Sequence, residues 1–436
     1  MVDMAATAPP NHAFADQGVE PDHRRHSGYT LDALSFFVAD AQTGFGPFIA
    51  GYLTSRGWSN GDIGTVLSVG TVAALVSQLP GGALVDRLHD KRLGAAAAWS
   101  GMALAAVLFA LAPTRAMIAL AEVLHSCATS MLSPAIAALS LAIVGRRALG
   151  ERLGRNARFA AIGNAGTAGA LGFAGQHFGA VSVFWLTAAF VIPGLLLLFR
   201  LPHPRSGPGD PDVGEKPRKA DWRSWVGDIA GLIRHKGVLA FALCISLFHL
   251  GNAALMPLAS TLLTRTAGSD ATLFISACVI GPQIVVAAFS PWIGRTEERR
   301  GVRLMMLGGF AAVPLRAVLL AGAAALDAGT MPYAIVAAQV LDGVSAAVFG
   351  VSLPIMAADL TRGSNRFNLC LGFFGIAITF GATLATALAG HLADHVGFSL
   401  TFLSLGICGV AAAGSVLLTV RDGAGRAGRG ARRMTS

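Results

Sequence analysis

Long apolar stretches alternate with short polar connections along almost the whole chain. Twelve of them are long enough to cross a bilayer, because a helical span needs about 20 residues. They are apolar nearly all round, which is typical of helices that face lipid. The pattern therefore predicts an all-α membrane protein with twelve transmembrane helices, near residues 29–53, 61–86, 93–112, 116–144, 157–176, 180–199, 237–263, 270–293, 302–325, 331–360, 368–392 and 398–420.

The longest polar connection, residues 201–236, separates six predicted spans from the other six. Its first part is rich in proline, glycine and charge and predicts a flexible linker. Its second part, Asp221–Arg234, carries Trp222, Trp225 and Ile229 at helical spacing and predicts a helix in the cytoplasmic interface. The predicted organisation is a cytoplasmic tail (1–28), a first bundle (29–200), the linker (201–236), a second bundle (237–420) and a basic tail (421–436).

The distribution of lysine and arginine predicts the orientation. Of the 33 such residues, 29 fall on one side of the twelve-span pattern, and only Arg56, Arg115 and Arg265 fall on the other; Arg316 lies within a span. Positively charged connections stay in the cytoplasm, so both termini are predicted to be cytoplasmic, in the inner membrane. Residues 1–28 lack an apolar core followed by a cleavage site, so the first span is expected to direct insertion.

Composition agrees with a membrane protein and argues against other classes. Hydrophobic residues make up 54% of the chain and charged residues 13%, whereas soluble domains carry about 25% charged residues. The net charge of +9 is dispersed among apolar stretches, so no nucleic-acid partner is expected. The five cysteines are isolated, and they predict neither a disulfide framework nor a metal site. No GxxxxGK[ST] motif is present, so ATP-driven transport is disfavoured and no cofactor is expected.

The two halves of the chain repeat one another. Three pairs of residues have nearly constant separations of 210, 212 and 220 positions: Pro47 with Pro257, Gly82 with Gly294, and Glu122 with Asp342. Glu122 and Asp342 each precede a proline by twelve residues. This spacing predicts a duplicated six-span unit, as in transporters that are built from structural repeats.

A charged connection follows the second span. It holds two acids and three basic residues within positions 86–92, a density that hydrocarbon does not tolerate, so it is expected at the membrane surface. Its pattern, Gly82-x3-Asp86-Arg87-x3-Lys91-Arg92, resembles the loop between spans two and three of the major facilitator superfamily. That family usually has glycine where this chain has His89.

Together with the span number and the duplication, this loop makes the chain similar to bacterial twelve-span transporters of the major facilitator superfamily over about residues 29–420. The resemblance implies two pseudo-symmetric six-helix bundles around a central cavity that is lined by spans one, four, seven and ten. It also implies that one bundle rocks against the other. In the cytoplasmic gating loop, Asp86 would lie near a helix end, and Arg87, Lys91 and Arg92 would pair with acids or carbonyls.

Polar side chains inside the spans are the candidate substrate and proton pathway, because such groups are costly in a membrane and usually functional. They are Asp40, Glu122, His125, His249, Asn252, Arg316, Gln339 and Asp342, with Asp32 at the start of span one. Apart from Arg316, the ionisable ones lie on spans that the resemblance assigns to the cavity. Glu122 with His125, His249 with Asn252, and Gln339 with Asp342 are each three residues apart, so each pair shares a helix face. This arrangement is typical of a proton relay.

Structural interpretations of the same residues stay open. Asp32 can cap the start of span one, and the histidines can donate hydrogen bonds between helices. Arg316 can neutralise Asp342 as a structural pair. Glycines recur every third residue in span five, from position 163 to position 175, which favours close helix packing.

The leading hypothesis is a secondary transporter that moves a small organic solute by alternating access, coupled to protons, with efflux antiport as one direction. The alternatives are a proton symporter that imports a metabolite and a transporter-like sensor. A membrane-embedded enzyme is disfavoured, since no HExxH motif or comparable arrangement of nucleophile and base stands out. The expected partners are the solute, protons and the lipid bilayer, and the protein is expected to be a monomer.

Overall fold

A computed structural model of the chain describes residues 21–39, 45–88, 90–111, 114–201, 231, 234–300, 302–361 and 367–420, although some side chains inside these helices are not described. The gaps contain most of the N-terminal tail, Asp40, His89, most of the linker and the whole C-terminal tail. The predicted interfacial helix therefore lies outside the described residues, except for its positions 231 and 234, and stays a prediction.

The described residues form thirteen α-helices, one 3₁₀ turn (Gly268–Asp270) and no strand. The helices are α1 (Pro21–Ala39), α2 (Phe45–Ser55), α3 (Asn60–Arg87), α4 (Lys91–Leu111), α5 (Arg115–Phe178), α6 (Ser182–Arg200), α7 (Lys236–Asn252), α8 (Leu255–Thr266), α9 (Ala271–Arg300), α10 (Val302–Ala323), α11 (Met331–Leu360), α12 (Phe367–Val396) and α13 (Phe398–Thr419).

Eight segments of the described residues have the length and hydropathy of a membrane span: Lys91–Leu111, Ser182–Arg200, Lys236–Thr266, Gly268–Ser290, Val302–Ala323, Met331–Ala357, Leu369–Val396 and Phe398–Thr419. The other four predicted spans coincide with α1 together with α2, with α3, and with two arms of α5. Large apolar side chains such as Leu418 and Ile407 remain exposed on the outer faces, as lipid contact requires. The predicted all-α membrane fold is confirmed.

Every residue of α5 is helical, whereas the sequence predicts two spans joined by a loop. A straight helix of its 64 residues would be roughly 96 Å long, at 1.5 Å per residue. However, Nδ2 of Asn156 donates to Oγ of Ser140 at 2.9 Å, and these residues would lie about 24 Å apart along a straight axis. The helix therefore folds back on itself between them, and its two arms supply the fourth and fifth spans.

Predicted spans one and seven each consist of two shorter helices. Pro47 is the third residue of α2, and Pro257 is the third residue of α8. The first backbone N–H groups of a helix have no partner within it, so proline is tolerated there. The two prolines that suggested a duplication thus occupy the same place in the two halves.

Both bundles have apolar interiors, and the largest buried cluster includes residues of both. Trp99, Phe109 and Phe184 are fully buried in the first bundle, and Phe310 and Phe374 in the second. The bundles contact each other mainly through three helix pairs, namely α3 with α12, α5 with α9, and α2 with α8. By the spacing of the repeat, α9 is the second copy of α3, and α12 is the second copy of the second arm of α5. The first two pairs are therefore copies of each other, and α2 with α8 joins equivalent helices.

Glycines allow the bundles to approach closely. A Cβ added at Gly390 of α12 would lie 3.1 Å from Cα of Gly64 on α3. In span five, a Cβ at Gly163 would collide with the Phe36 backbone on α1, whereas one at Gly175 would lie 2.6 Å from Cγ2 of Thr272 on α9. The predicted packing role of the span-five glycines is confirmed, and their stripe divides between a neighbour in the same bundle and one in the other.

Candidate functional site

The second bundle contains a charged cluster built from three helices. Nη1 of Arg316, on α10, donates hydrogen bonds to the carboxylate of Asp342 on α11 and, at 3.0 Å, to Oδ1 of Asn252 at the end of α7. The Arg316 side chain is 1% exposed, whereas that of Asp342 is 32% exposed. The pairing that the sequence left open as one interpretation is therefore present.

Burial explains why Arg316 needs this partner. A charge without a counter-charge is costly at this depth, and removing one member of a buried pair exposes that cost. Asp342 neutralises the guanidinium, and its own partial exposure leaves part of the carboxylate accessible. The cluster is thus neutral overall, and Asp342 is its more exposed member.

Two further candidates lie on the same helices. His249 places Nδ1 3.1 Å from the carbonyl oxygen of Ile245, and its ring meets the ring of Phe349 edge to face, 5.0 Å between centroids. Gln339 precedes Asp342 by one helical turn and is 1% exposed. Neither amide atom of Gln339 has a hydrogen-bond partner within the part of the chain that the structure describes.

Glu122, on the first arm of α5, has different surroundings. It is 7% exposed and packs against α3, where a Cβ added at Gly70 would lie 2.6 Å from its Oε1. Its Oε2 has no hydrogen-bond partner, and no ion pair to Glu122 is found among the described residues. His125 follows three residues later and is half-buried. The acids at equivalent positions of the two repeats therefore differ, since one has a counter-charge and the other has none.

Asp40 lies outside the described residues, but Asp32 is well defined. Its buried carboxylate pairs with Arg152, and it accepts from Nη2 of Arg155 at 2.5 Å. Arg152 also donates to Oδ1 of Asn156 at 2.7 Å and to the carbonyl of Gly28 at 3.1 Å. The network ties α1 to the second arm of α5. The sequence did not predict this network, because Arg152 and Arg155 were assigned to the connection between spans four and five. Their spacing of three residues places them on one helix face, and this spacing is the signal that could have indicated the network.

The gating-loop residues are only partly described. Helix α3 continues through Gly82, Asp86 and Arg87, whose side chains lie outside the description, and α4 begins at Lys91. Arg92 is buried, with Nη2 2.8 Å from Oδ2 of Asp90 and Nη1 3.0 Å from the carbonyl oxygen of Leu201, just after α6. A cation is favourable at a helix C-terminus, so Arg92 joins the start of α4 to the end of α6. The role of the loop as a gate stays a prediction.

A polar contact between the bundles was also missed by the sequence analysis. Asp394 of α12 accepts hydrogen bonds from Nδ2 of Asn60 at 2.7 Å and from the backbone N–H of Gly61 at 2.5 Å. Nη2 of Arg265 donates to Oδ1 of Asn60 at 3.1 Å, and Thr65 is hydrogen-bonded to His391 at 3.1 Å. These residues lie at the end of the bundles where α3 begins and α12 ends. They form a contact that holds the two halves together.

The letters of one enzyme motif occur in the chain. Residues 57–61 read Gly-Trp-Ser-Asn-Gly, which fits the letters of the GxSxG nucleophile elbow. That elbow requires a strand before the serine, whereas Ser59 follows α2 and its hydroxyl accepts from the backbone N–H of Asp62 at 3.1 Å. Ser59 therefore caps the start of α3 and is not placed as a nucleophile.

The chain matches a known protein family over both of its halves. The family model of the Major Facilitator Superfamily matches residues 31–244 and again residues 241–434. Two proteins of Mycobacterium tuberculosis, from strains CDC 1551 / Oshkosh and ATCC 25618 / H37Rv, are each 33% identical over 396 residues, covering 89% of this chain and 91% of theirs. Both are described as uncharacterized MFS-type transporters.

Solved structures share the fold at low identity. A variant of the nucleoside transporter NupG matches with a TM-score of 0.77 and 17% identity, over 91% of this chain and all of that one. A variant of the peptide transporter POT in complex with sulfate matches with a TM-score of 0.71 and 12% identity, over 90% and 93% of the two chains. The family model matches both halves of the chain, and the relatives of 33% identity are MFS-type transporters. The chain therefore belongs to the major facilitator superfamily of multi-pass membrane transporters.

Proposed function

We propose that the protein is a proton-coupled secondary transporter that moves a small organic solute by alternating access. Membership of the family supports transport of a small molecule, and the nucleoside and peptide transporters of similar fold carry organic solutes of that size. The protein acts as a monomer in the inner membrane with both termini in the cytoplasm. A reporter fused after Arg433 is then cytoplasmic, and a periplasmic signal would contradict this orientation.

The observation that carries proton coupling is the contrast between Glu122 and Asp342. A carboxylate at this depth without a counter-charge pays the cost of a buried charge, and a bound proton removes that cost. Glu122 has no ion pair within the described residues, while Asp342 is neutralised by Arg316. Glu122 therefore carries the proton, and His125 on the same face assists its transfer.

Asp342 has a different task in this scheme. Arg316, Asp342 and Asn252 join three helices of the second bundle. A solute that binds Asp342 therefore competes with Arg316 for its carboxylate and alters the contacts between these helices. His249 and Gln339 complete the solute surface on the same helix faces. Asp40, the deeper acid of span one, is the second candidate for the proton site.

The cytoplasmic loop and the contact at Asn60 act at opposite ends of the bundles. With the termini in the cytoplasm, the hydrogen bonds between Asn60 and Asp394 close the outer face. Gly82, Asp86, Arg87, Lys91 and Arg92 then form the latch that closes the inner face in the other conformation.

The test compares Glu122→Gln with Asp342→Asn in proteoliposomes, after a thermal-shift screen of metabolites and antibiotics has identified a solute, since a bound ligand raises the melting temperature. We expect Glu122→Gln to lose uptake driven by a pH gradient and to retain counterflow exchange. The sign of the gradient that drives uptake separates symport from antiport. Gradient-driven accumulation in Glu122→Gln would move the proton site elsewhere, with Asp40→Asn as the next variant.

Infrared spectroscopy tests the same residue without a solute. A protonated carboxylic acid has a carbonyl stretch that a carboxylate lacks. The purified wild-type protein should show this band at neutral pH, and Glu122→Gln should lose part of it. An unchanged spectrum would contradict a proton on Glu122.

A further inference from the structure

The second bundle contains polar atoms that its ion pair leaves without partners. Both amide atoms of Gln339 and Nε of Arg316 are buried and have no hydrogen-bond partner among the described residues. Buried polar groups are almost always paired, because each unpaired one retains the full cost of leaving water. Three such atoms on neighbouring helices are therefore exceptional. Nε of Arg316 and Nε2 of Gln339 can donate hydrogen bonds to a ligand, and Oε1 of Gln339 can accept one.

These atoms adjoin an accessible polar surface. Gln339 and Asp342 are three residues apart and share a face of α11, and Asp342 is bonded to Arg316. The side chain of Asp342 is 32% exposed, so a solute that contacts it would lie one helical turn from the amide of Gln339. We use the name amide site for Gln339, Arg316 and Asp342.

The charges of the amide site define the charge of its ligand. Arg316 is matched by Asp342, so the site is neutral, and an ion bound there would itself lack a counter-charge. The hydrogen-bonding pattern defines the ligand further. A primary amide presents an acceptor and a donor side by side, and its complement is another edge that carries C=O and N–H together. The free Nε–H of Arg316 provides one more donor for a ligand carbonyl.

Aromatic rings next to the amide site favour a planar ligand. Phe349 follows Asp342 by seven residues and lies on the same face of α11, half-buried. Its ring contacts that of His249 on α7, which is also half-buried. Rings of this kind stack on flat π-systems and thereby orient them.

From these observations we infer that the solute is an uncharged, planar ring that bears a lactam or carboxamide edge, and that Gln339 reads this edge. The inference rests on the proposed transport function, since it concerns the solute that the cavity takes. It does not depend on proton coupling, because binding is measured at one pH on the purified protein.

The test uses uracil and nicotinamide as probes, with three matched controls. In 1,3-dimethyluracil both N–H donors are blocked, and nicotinate replaces the carboxamide by a charged carboxylate. Cyclohexanecarboxamide keeps the amide but lacks a flat ring. We expect uracil or nicotinamide to raise the melting temperature in the millimolar range, and all three controls to leave it unchanged. A shift with any of the three controls, or none with either probe, would overturn the inference.

Variants of Gln339 separate a binding role from a structural one. Gln339→Met removes the unpaired amide at similar volume, so the ligand-free protein should melt at the same temperature or a few degrees higher. The same change should raise the half-saturating probe concentration at least about tenfold. A structural amide would give the opposite result, with a lower melting temperature and unchanged binding.

A matched control comes from the other bundle. Gln78 on α3 also has a buried amide oxygen without a partner in the described residues. Gln78→Met should leave the probe-induced shift unchanged. If Gln339→Met does not fold, Gln339→Asn keeps the amide on a shorter side chain and should still weaken binding; wild-type affinity in that variant would refute the assignment. Failure of the Glu122 experiment would leave these results intact, so the two proposals fail separately.

Discussion

The carboxylate of Asp394 accepts hydrogen bonds from both the backbone N–H of Asn60, at 3.1 Å, and its side-chain Nδ2, at 2.7 Å. Asn60 begins α3 in the first bundle, whereas Asp394 lies near the end of α12 in the second. The first N–H groups of a helix lack partners within it and favour a negative charge. One bundle thus caps a helix of the other, and the bundles cannot separate at this end without losing that cap.

Asp394→Ala should weaken the closed arrangement of this end. Loss of a helix cap costs about 1–2 kcal/mol, which corresponds to about a 5–30-fold change in a conformational equilibrium. The measurement is the rate at which a maleimide labels a cysteine introduced at Thr386, which is buried at this interface. Labelling should be faster in the presence of Asp394→Ala by about that factor.

The matched control for this experiment is Asp62→Ala. Asp62 lies in the first turn of the same helix, but it pairs with Arg115 of its own bundle at 2.7 Å. The substitution removes a comparable acid without touching the other bundle, so labelling at Thr386→Cys should stay at the parent rate. Equal acceleration by both changes would mean that the contact of Asp394 with Asn60 does not hold the bundles.

Gly390→Ala should open the same interface for a steric reason. The added methyl group would collide with the carbonyl oxygen of Asn60 and lie 3.1 Å from Cα of Gly64. Both obstacles are backbone atoms, so no side-chain rotation relieves them. Faster labelling of Thr386→Cys is expected. Gly414→Ala, on α13, meets nothing within 4 Å and serves as the control, with an unchanged labelling rate.

The Asp32 network should matter for stability. Asp32→Asn leaves the buried guanidinium of Arg152 without its counter-charge, and breaking such a pair costs about 3–5 kcal/mol. Arg155 is 49% exposed, so Arg155→Gln should cost no more than about 1 kcal/mol. Thermal unfolding of the purified variants gives the comparison. The double variant with Asp32→Asn and Arg152→Gln should recover part of the loss, since no charge is then stranded.

The sequence predicted features that depend on local pattern, and missed those that depend on distant pairing. Span number and fold class follow from continuous apolar stretches, and two opposite charges at membrane depth made the pairing of Arg316 with Asp342 one of the open interpretations. The contact of Asn60 with Asp394 joins residues 334 positions apart, and neither position looks unusual in its own segment. Asp32 was similarly read as a cap, because its partners belong to a connection that only the folded α5 brings close.

Arg316 and Asp342 are buried to unequal extents, so substitutions of the two residues should have unequal costs. Asp342→Asn leaves a guanidinium that is 1% exposed without a counter-charge, which should cost about 3–5 kcal/mol. Arg316→Met leaves a carboxylate that is 32% exposed and partly hydrated, so its cost should be clearly smaller. Thermal unfolding should rank Asp342→Asn below Arg316→Met, and the double variant should lie above Asp342→Asn alone. The reverse order would show that Asp342, and not Arg316, is the member that depends on the pair. This ranking also determines how the transport assay is interpreted. An unstable Asp342→Asn protein would lose exchange for a structural reason. Glu122→Gln leaves no buried charge without its counter-charge, so its transport phenotype reports on coupling alone.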